Sequence, residues 1–364
     1  MNGVIFTGAG QAPVVVDDLE LDEPRAGEVR VHITATGVCH SDLATQTGDS
    51  PWPAPAVMGH EGAGEVVAVG PGVTSVRPGQ ACVISWVPHC GRCFFCRRGE
   101  VHLCQEHRRG MGLMADGTAR FSWRGSPLTG TIWAGTWASE TVLRASQVIP
   151  IPSDIPASIA ALLGCGVLTG CGAVFNTARV VPGERVTVIG CGGVGLSVIQ
   201  ACRIAGASVI LAVDPVASKR EAALALGATH ACEPDSMREE AKRLTDGIYP
   251  DAVFEVVGRS ALQRAAHDLA RTGGRAVLVG MPARGDDPTF AGFEQLFFRE
   301  KSILPSYYGG SDPARDVPRL MGLWRAGLLK LDELITAERP LSEAPDALDQ
   351  LARGEAIRTV LIPS

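Results

Sequence analysis

An apolar run, Arg185–Ile189, leads directly into Gly190-Cys191-Gly192-Gly193-Val194-Gly195, and a helical stretch follows to about Ala205. A second apolar run, Ser208–Val213, ends at Asp214. Glycines at this spacing mean little alone. They constrain the fold here because they close one strand, open a helix and precede an acid at the end of the next strand, about 20 residues on. The glycines let backbone come close to a pyrophosphate, and the helix N-terminus offers N–H groups and positive dipole to an anion. Asp214 would accept from both ribose hydroxyls of an adenosine half. A carboxylate there repels a 2′-phosphate, so the pattern points to NAD rather than NADP. The competing readings are a glycine-rich turn in an ordinary α/β domain and, for Asp214, a turn residue before Pro215.

The segments around this motif have two textures. Up to about Gly79 the chain reads as short strands between turns, among them Glu28–Thr34 and Gly64–Val69, with proline and glycine at Pro51–Pro55 and Pro71–Gly72. Residues 80–150 continue this pattern. After Ile155 strands alternate with helices: Ala217–Leu226 reads as helix, Ala252–Val257 and Ala276–Val279 as strands, with a helix near Ala261–Arg271 between them. Such alternation implies an α/β fold with a parallel sheet covered on both faces. The tail from about Ser311 reads as helical, then as a strand at Thr359–Ile362. With 364 residues, 46% of them hydrophobic, the chain can bury a core of roughly two domains. A net charge of −6 argues against nucleic acid as a partner. The uncharged stretch Ala157–Phe175 is nearly of bilayer length, but Gly164, Gly166, Gly170 and Gly172 suit a buried helix running into a turn better than a membrane span. Met1–Gly10 has neither the basic nor the apolar region of a signal peptide, so the expected location is cytoplasmic.

Eleven cysteines are an odd number, and disulfides are rare in that compartment. Four are crowded as Cys90-x2-Cys93-x2-Cys96-x7-Cys104, with Gly91 and Gly99 permitting tight turns. Four thiolates complete a tetrahedron and leave no open position, the pattern of a structural zinc. An iron–sulfur cluster or free thiols are the alternatives. His89, His102 and His107 flank the set and read as solvated, since four sulfurs already suffice.

Three further segments hold ligand-type residues that spacing alone does not group: Gly37-Val-Cys39-His40-Ser41-Asp42, Gly59-His60-Glu61-Gly-Ala-Gly64 and Leu163-Gly-Cys165-Gly166. Together with the four-cysteine lobe, Leu162–Gly170, Val188–Gly195 and the closing Ile357–Val360, they resemble the zinc-dependent medium-chain alcohol dehydrogenases over essentially the whole chain. The resemblance implies a GroES-like, β-rich catalytic domain over residues 1–167 and 308–364, with a zinc lobe at 88–106, and a Rossmann NAD-binding domain over 168–307. It implies two zinc ions per chain and NAD as cofactors. Cys39, His60 and Cys165 would bind the catalytic zinc, with Glu61 beside it and Asp42 orienting the His60 imidazole. The open fourth position would take an alcohol oxygen, and zinc would stabilise the alkoxide from which hydride passes to the nicotinamide.

Ser41 matches the family hydroxyl that hands the alcohol proton onward; Ala44 stands where many members continue that relay with histidine. His40 and Arg358 match positions that reach the pyrophosphate, Lys219 one near the adenosine ribose, and Thr169, Val194 and Val279 positions lining the nicotinamide half. Trp86 and Trp137 fall where the family lines its substrate cleft. The remaining five cysteines, Cys82, Cys171, Cys191, Cys202 and Cys232, read as buried and inert.

Cys104–Arg108 and Ala115–Phe121 are similar to the class III members, the glutathione-dependent formaldehyde dehydrogenases. Arg108 matches their adduct-holding arginine and Asp49 one of two acids; the second acid position is Pro51. The expected substrate is a primary or aromatic alcohol or aldehyde; the alternatives are the thiol adduct and a non-catalytic relative that keeps both zincs. A long segment between Cys104 and Cys165 resembles the dimeric members, and Ser302–Tyr307 the edge strand through which they pair, so a homodimer is expected.

Overall fold

The computed structural model describes residues 1–106 and 110–363. The chain divides into two units: Met1–Cys165 with Asp312–Leu320 and Leu331–Ser364, and Gly166–Ser311 with Met321–Lys330. Met321–Lys330, read from sequence as part of the first unit, groups with the second. There the Lys330 N–H donates to Gln200 Oε1 at 2.7 Å, and the Gln200 amide donates back to the Lys330 carbonyl at 3.3 Å.

The first unit is built on strands. Its longest, Glu28–Gly37, alternates so that Val29, Val31, Ile33 and Ala35 are fully buried while His32 and Thr34 face outward. It pairs antiparallel with Gly62–Val69, Glu140–Arg144 and the C-terminal strand Arg358–Ile362, within a seven-stranded sheet. A second, six-stranded sheet runs from Val14–Val16 through Gly3–Phe6 to Glu20–Leu21.

The second unit is a six-stranded parallel sheet. Its strands lie in the order His230–Cys232, Val209–Val213, Arg185–Ile189, Ala252–Glu255, Arg275–Leu278, Ser302–Pro305. The order reverses beside Arg185–Ile189, the strand that feeds the glycine loop. That is the switch point where open α/β sheets bind ligands. Ser302–Pro305 lies at the sheet edge.

The stretch Ala157–Phe175 forms two helices, Ala157–Leu163 and Gly166–Gly172, interrupted at Gly164–Cys165 and followed by a wider turn at Ala173–Ala178. Among the described residues no single helix is long and apolar enough to cross a membrane.

Two expectations are corrected. His89 and His102 are half-buried rather than fully solvated: burial pushes both imidazoles down, and Nδ1 of each is buried without a hydrogen-bond partner. His107 lies outside the described residues. Cys82, Cys171, Cys191 and Cys202 are buried, but Cys232 is half-buried at the end of a short outer strand. Burial still pushes its thiol up to about 11, and those of Cys82 and Cys191 up to about 12.

A buried ion pair ties the first unit together. Arg120 donates through Nε and Nη2 to the two Glu28 carboxylate oxygens at 2.7 and 2.6 Å, with both residues almost wholly buried. Glu28→Ala removes that partner while Asp116 Oδ2 still accepts from Nη2 at 2.8 Å, and is expected to lower stability by about 1–3 kcal/mol. A denaturant midpoint that implies a loss below about 1 kcal/mol, the range of an exposed pair, contradicts this.

Candidate functional site

Cys39 follows the long strand and N-caps the helix His40–Thr47, its backbone extended at φ −125° and ψ 156°. At the third position of that helix, Asp42 turns back and accepts the Cys39 N–H at 3.0 Å through Oδ2. Its other oxygen, Oδ1, accepts from His60 Nδ1 at 3.0 Å. Asp42 and His60 are both fully buried. The carboxylate raises the proton affinity of the imidazole, although burial works against the charged form. With Nδ1–H on Asp42, His60 Nε2 carries the lone pair, and that atom is buried with no hydrogen-bond partner.

What Nε2 faces is a donor set. Ligand atoms of Cys39, His60, Glu61 and Cys165 all lie within 4.8 Å of one another, and all four residues are buried. Zinc bonds sulfur at about 2.3 Å and imidazole nitrogen at about 2.0–2.1 Å, which places tetrahedral donors about 3.3–3.8 Å apart. The set therefore fits a zinc ion held by two thiolates and one imidazole. Its electrostatics point the same way. The Cys165 thiol, bonding Cys39, holds that sulfur well below the usual thiol range, while the same contact and burial push Cys165 well above it. Burial pushes Glu61 up to about 7, against the pull of Arg358. Packed anionic donors of this kind are stable only with protons or a cation among them.

Gly37 makes room for the set: a Cβ there would meet Glu61 Oε2 at 2.1 Å. Arg358 pairs with the acid of this set. It is buried on the strand beside Gly37 and directs Nη1 onto Glu61, at 3.1 and 3.3 Å from the two oxygens, and onto the Val38 carbonyl at 3.4 Å. Ser41 Oγ is 3.9 Å from Cys39 Sγ. His40 is exposed at the start of the helix.

Trp137 is a core residue, not a substrate wall. It is fully buried among Val4, Phe6, Met58 and Leu361, and its Nε1 donates to the Gly37 carbonyl at 3.0 Å. Trp86 packs edge-on to the His60 ring, centroids 6.4 Å apart. Sequence reasoning missed a second aromatic pair, Trp52 and Trp133, edge-to-face at 5.0 Å. The Trp133 carbonyl shares the Gln147 amide with the carbonyl of Ser85, next to Trp86. Asp49 is exposed and accepts from Thr47 Oγ1 at 2.8 Å. Arg108 lies outside the described residues.

The four-cysteine lobe forms a second set whose ligand atoms also lie within 4.8 Å of one another. Cys93 Sγ is 3.5 Å from Cys96 Sγ and 3.9 Å from Cys104 Sγ, the spacing of tetrahedral thiolates. Backbone donors polarise the sulfurs: Cys93 N–H reaches Cys90 Sγ at 3.3 Å and Cys90 N–H reaches Cys104 Sγ at 3.4 Å. The Cys96 N–H holds the Cys93 thiol down at about 6.

In the second unit the glycine loop fits a dinucleotide. A Cβ on Gly192 would meet nothing within 4 Å, leaving open room at the N-cap of the helix Gly193–Ile204. A Cβ on Gly195 would strike the Gly190 carbonyl at 1.9 Å, so helix and strand meet only because that position is glycine. Asp214 holds the loop: Oδ2 accepts the Cys191 N–H at 2.8 Å and Oδ1 the Val216 N–H at 2.9 Å. Thr169, Val194, Lys219 and Val279 are half-buried in the same unit.

A parallel sheet with a glycine loop at its switch point, in a chain that also carries a four-cysteine set and a second set of Cys39, His60, Glu61 and Cys165, defines a zinc- and dinucleotide-dependent oxidoreductase. Comparison with known proteins agrees. The family described as "Alcohol dehydrogenase GroES-like domain" matches residues 25–153, and "Zinc-binding dehydrogenase" matches residues 193–324. The chain is 37% identical to an alcohol dehydrogenase class-3 of Myxine glutinosa, over 96% of this chain and 94% of that one. It is 38% identical to an S-(hydroxymethyl)glutathione dehydrogenase of Escherichia coli, over 96% of each. Among solved structures, benzyl alcohol dehydrogenase from Acinetobacter calcoaceticus superposes with a TM-score of 0.93 at 29% identity, over 100% of this chain and 99% of that one. A zinc-binding-domain alcohol dehydrogenase from Burkholderia ambifaria gives 0.94 at 32%, over 99% and 98%. The chain belongs to the zinc-dependent medium-chain alcohol dehydrogenases.

The Asp42–His60 bond makes a selective prediction. Asp42→Asn is expected to weaken zinc at the Cys39–His60–Cys165 set by about 10–100-fold, while the four-cysteine zinc is unaffected. In a chelator titration one zinc per chain should then leave well before the other. Both leaving at the wild-type chelator concentrations contradicts the assignment.

Proposed function

We propose that this chain interconverts primary alcohols, aromatic ones included, and their aldehydes, using NAD, at the set Cys39, His60 and Cys165. The observation that carries the reading is His60 Nε2, a buried lone pair fixed by Asp42 and aimed among two cysteine sulfurs. Three protein donors leave a tetrahedral ion one open position, which distinguishes this set from the closed four-cysteine one. When bound, zinc supplies Lewis acidity that makes an alcohol hydroxyl more acidic, and NAD supplies the hydride acceptor.

The chain's own residues do the rest. Asp42 sets the imidazole tautomer, and Arg358 balances Glu61 beside the donors. Ser41 Oγ, 3.9 Å from the Cys39 sulfur, would relay the alcohol proton, accepting it while passing its own hydroxyl proton on. Ala44 offers no group to carry it further, so the outer step falls to water. Asp214 favours NAD, since a 2′-phosphate beside its carboxylate is repelled.

Trp86, edge-on to His60, supports a flat substrate, in keeping with the structural likeness to a benzyl alcohol dehydrogenase. The thiol-adduct reading is supported by the curated relatives that act on S-(hydroxymethyl)glutathione and by exposed Asp49. It is weakened by Pro51 in place of the second acid. NADH formation is the test, with benzyl alcohol, hexanol, and formaldehyde with and without glutathione. Turnover of benzyl alcohol without thiol is expected, with NAD preferred over NADP by about 100-fold or more. Activity confined to formaldehyde plus glutathione replaces the first reading with the second.

A cytoplasmic homodimer is part of the same proposal. The edge strand Ser302–Pro305 follows a segment whose Phe293, Phe297 and Phe298 are all highly exposed, an apolar face beside an open sheet edge. Light scattering after size exclusion is expected to return twice the chain mass; a monomer or tetramer contradicts it.

A further inference from the structure

Glu255 ends the strand Ala252–Glu255 and is fully buried. A carboxylate in such a place must be held by donors. Oε1 accepts the Val257 N–H at 2.9 Å and the Gly258 N–H at 2.8 Å. The Glu255 backbone carbonyl accepts the N–H groups of Val279 and Gly280 at 2.8 and 3.0 Å. One residue therefore fixes two segments that leave the carboxyl ends of neighbouring parallel strands. The segments cross in backbone contact: a Cβ on Gly280 would meet the Gly258 nitrogen at 2.1 Å. The first of them presses on the glycine loop. A Cβ on Gly190 would meet Val257 Cγ2 at 2.7 Å and Val256 Cγ2 at 3.0 Å, and one on Gly195 would meet Val256 Cγ2 at 3.2 Å.

We propose that Glu255 is a positioning residue of the dinucleotide site: it clamps Val256–Gly258 and Val279–Gly280 into the buttress against which the Gly190–Gly195 loop is set. It acts through those segments and touches no cofactor atom itself. The inference rests on reading that loop as the cofactor site. Burial pushes the Glu255 carboxyl up, and the turn N–H groups pull it down. What the turn requires is an acceptor at Oε1, which glutamine also provides.

The test is NADH affinity by fluorescence titration, with thermal unfolding in parallel, on the wild-type chain, E255Q, E255L and V256A. Wild-type protein that binds no NADH removes the cofactor reading itself. Given wild-type binding, E255L is expected to weaken NADH by about tenfold, the scale of losing one buried acceptor. E255Q should stay within about twofold of wild type, because its carbonyl still accepts both N–H groups. V256A should weaken NADH by about threefold through loss of the buttress methyls. In turnover the KM for NAD should rise in E255L while kcat at saturating NAD stays near wild type. A merely structural glutamate would lower the melting temperature of E255L and leave NADH affinity alone, and that result overturns the proposal. So does E255Q binding as weakly as E255L. Should E255L fail to fold, V256A with unchanged affinity overturns it and V256A with weakened affinity supports it.

Discussion

The site in the first unit depends on one carboxylate with two obligations. Asp42 closes the first turn of a short helix by accepting the Cys39 N–H, and with its other oxygen it holds His60 Nδ1. The first bond fixes where the Cys39 sulfur leaves the strand. The second fixes which nitrogen of His60 is left with a lone pair. Helix start and metal donor set are thus one piece of geometry. Because Asp42 and His60 are fully buried, neither bond can be exchanged for water without a cost of about 1–3 kcal/mol per orphaned group. Arg358 extends the same logic, bringing a fixed positive charge to Glu61 from the C-terminal strand.

The second unit solves its own problem by similar sharing. Asp214 and Glu255 stand at the carboxyl ends of two parallel strands; Glu255 accepts two backbone N–H groups of the chain beyond it, and Asp214 accepts one from the chain beyond it and one from the glycine loop of the neighbouring strand. Strand ends in such a sheet present donors that need partners, and these acids satisfy them while shaping a cradle. Gly195 lets helix and strand meet, and Gly192 leaves space where a phosphate would approach.

Much of this was legible in the sequence because it is local. The strand Arg185–Ile189, the glycine loop and the helix behind it depend on periodicity and turn chemistry within twenty residues. The four-cysteine lobe was legible because its ligands sit within fifteen residues of one another. The open metal set was not, since Cys39, His60 and Cys165 meet only through the pairing of distant strands, and a family resemblance was needed to group them. Trp137 was misread because a tryptophan looks alike in a wall and in a core; only its neighbours tell. The pairing of Arg358 with Glu61 was not legible either, because nearly three hundred residues separate them. His89 and His102 were read as solvated because their short polar surroundings hide the burial that tertiary packing imposes. Glu255 did leave a signal: an acid inside the apolar run Ala252–Val257 has to be held by something.

The central claim is that a zinc ion sits among two sulfurs and one imidazole, distinct from the zinc in the four-cysteine lobe. X-ray absorption at the zinc edge of the purified chain tests it most directly. Four sulfurs at one ion and two at the other average to about three sulfurs per zinc, with nitrogen or oxygen completing the shell of the two-sulfur ion alone. A spectrum showing sulfur alone, or a single zinc per chain with four sulfurs, contradicts the account.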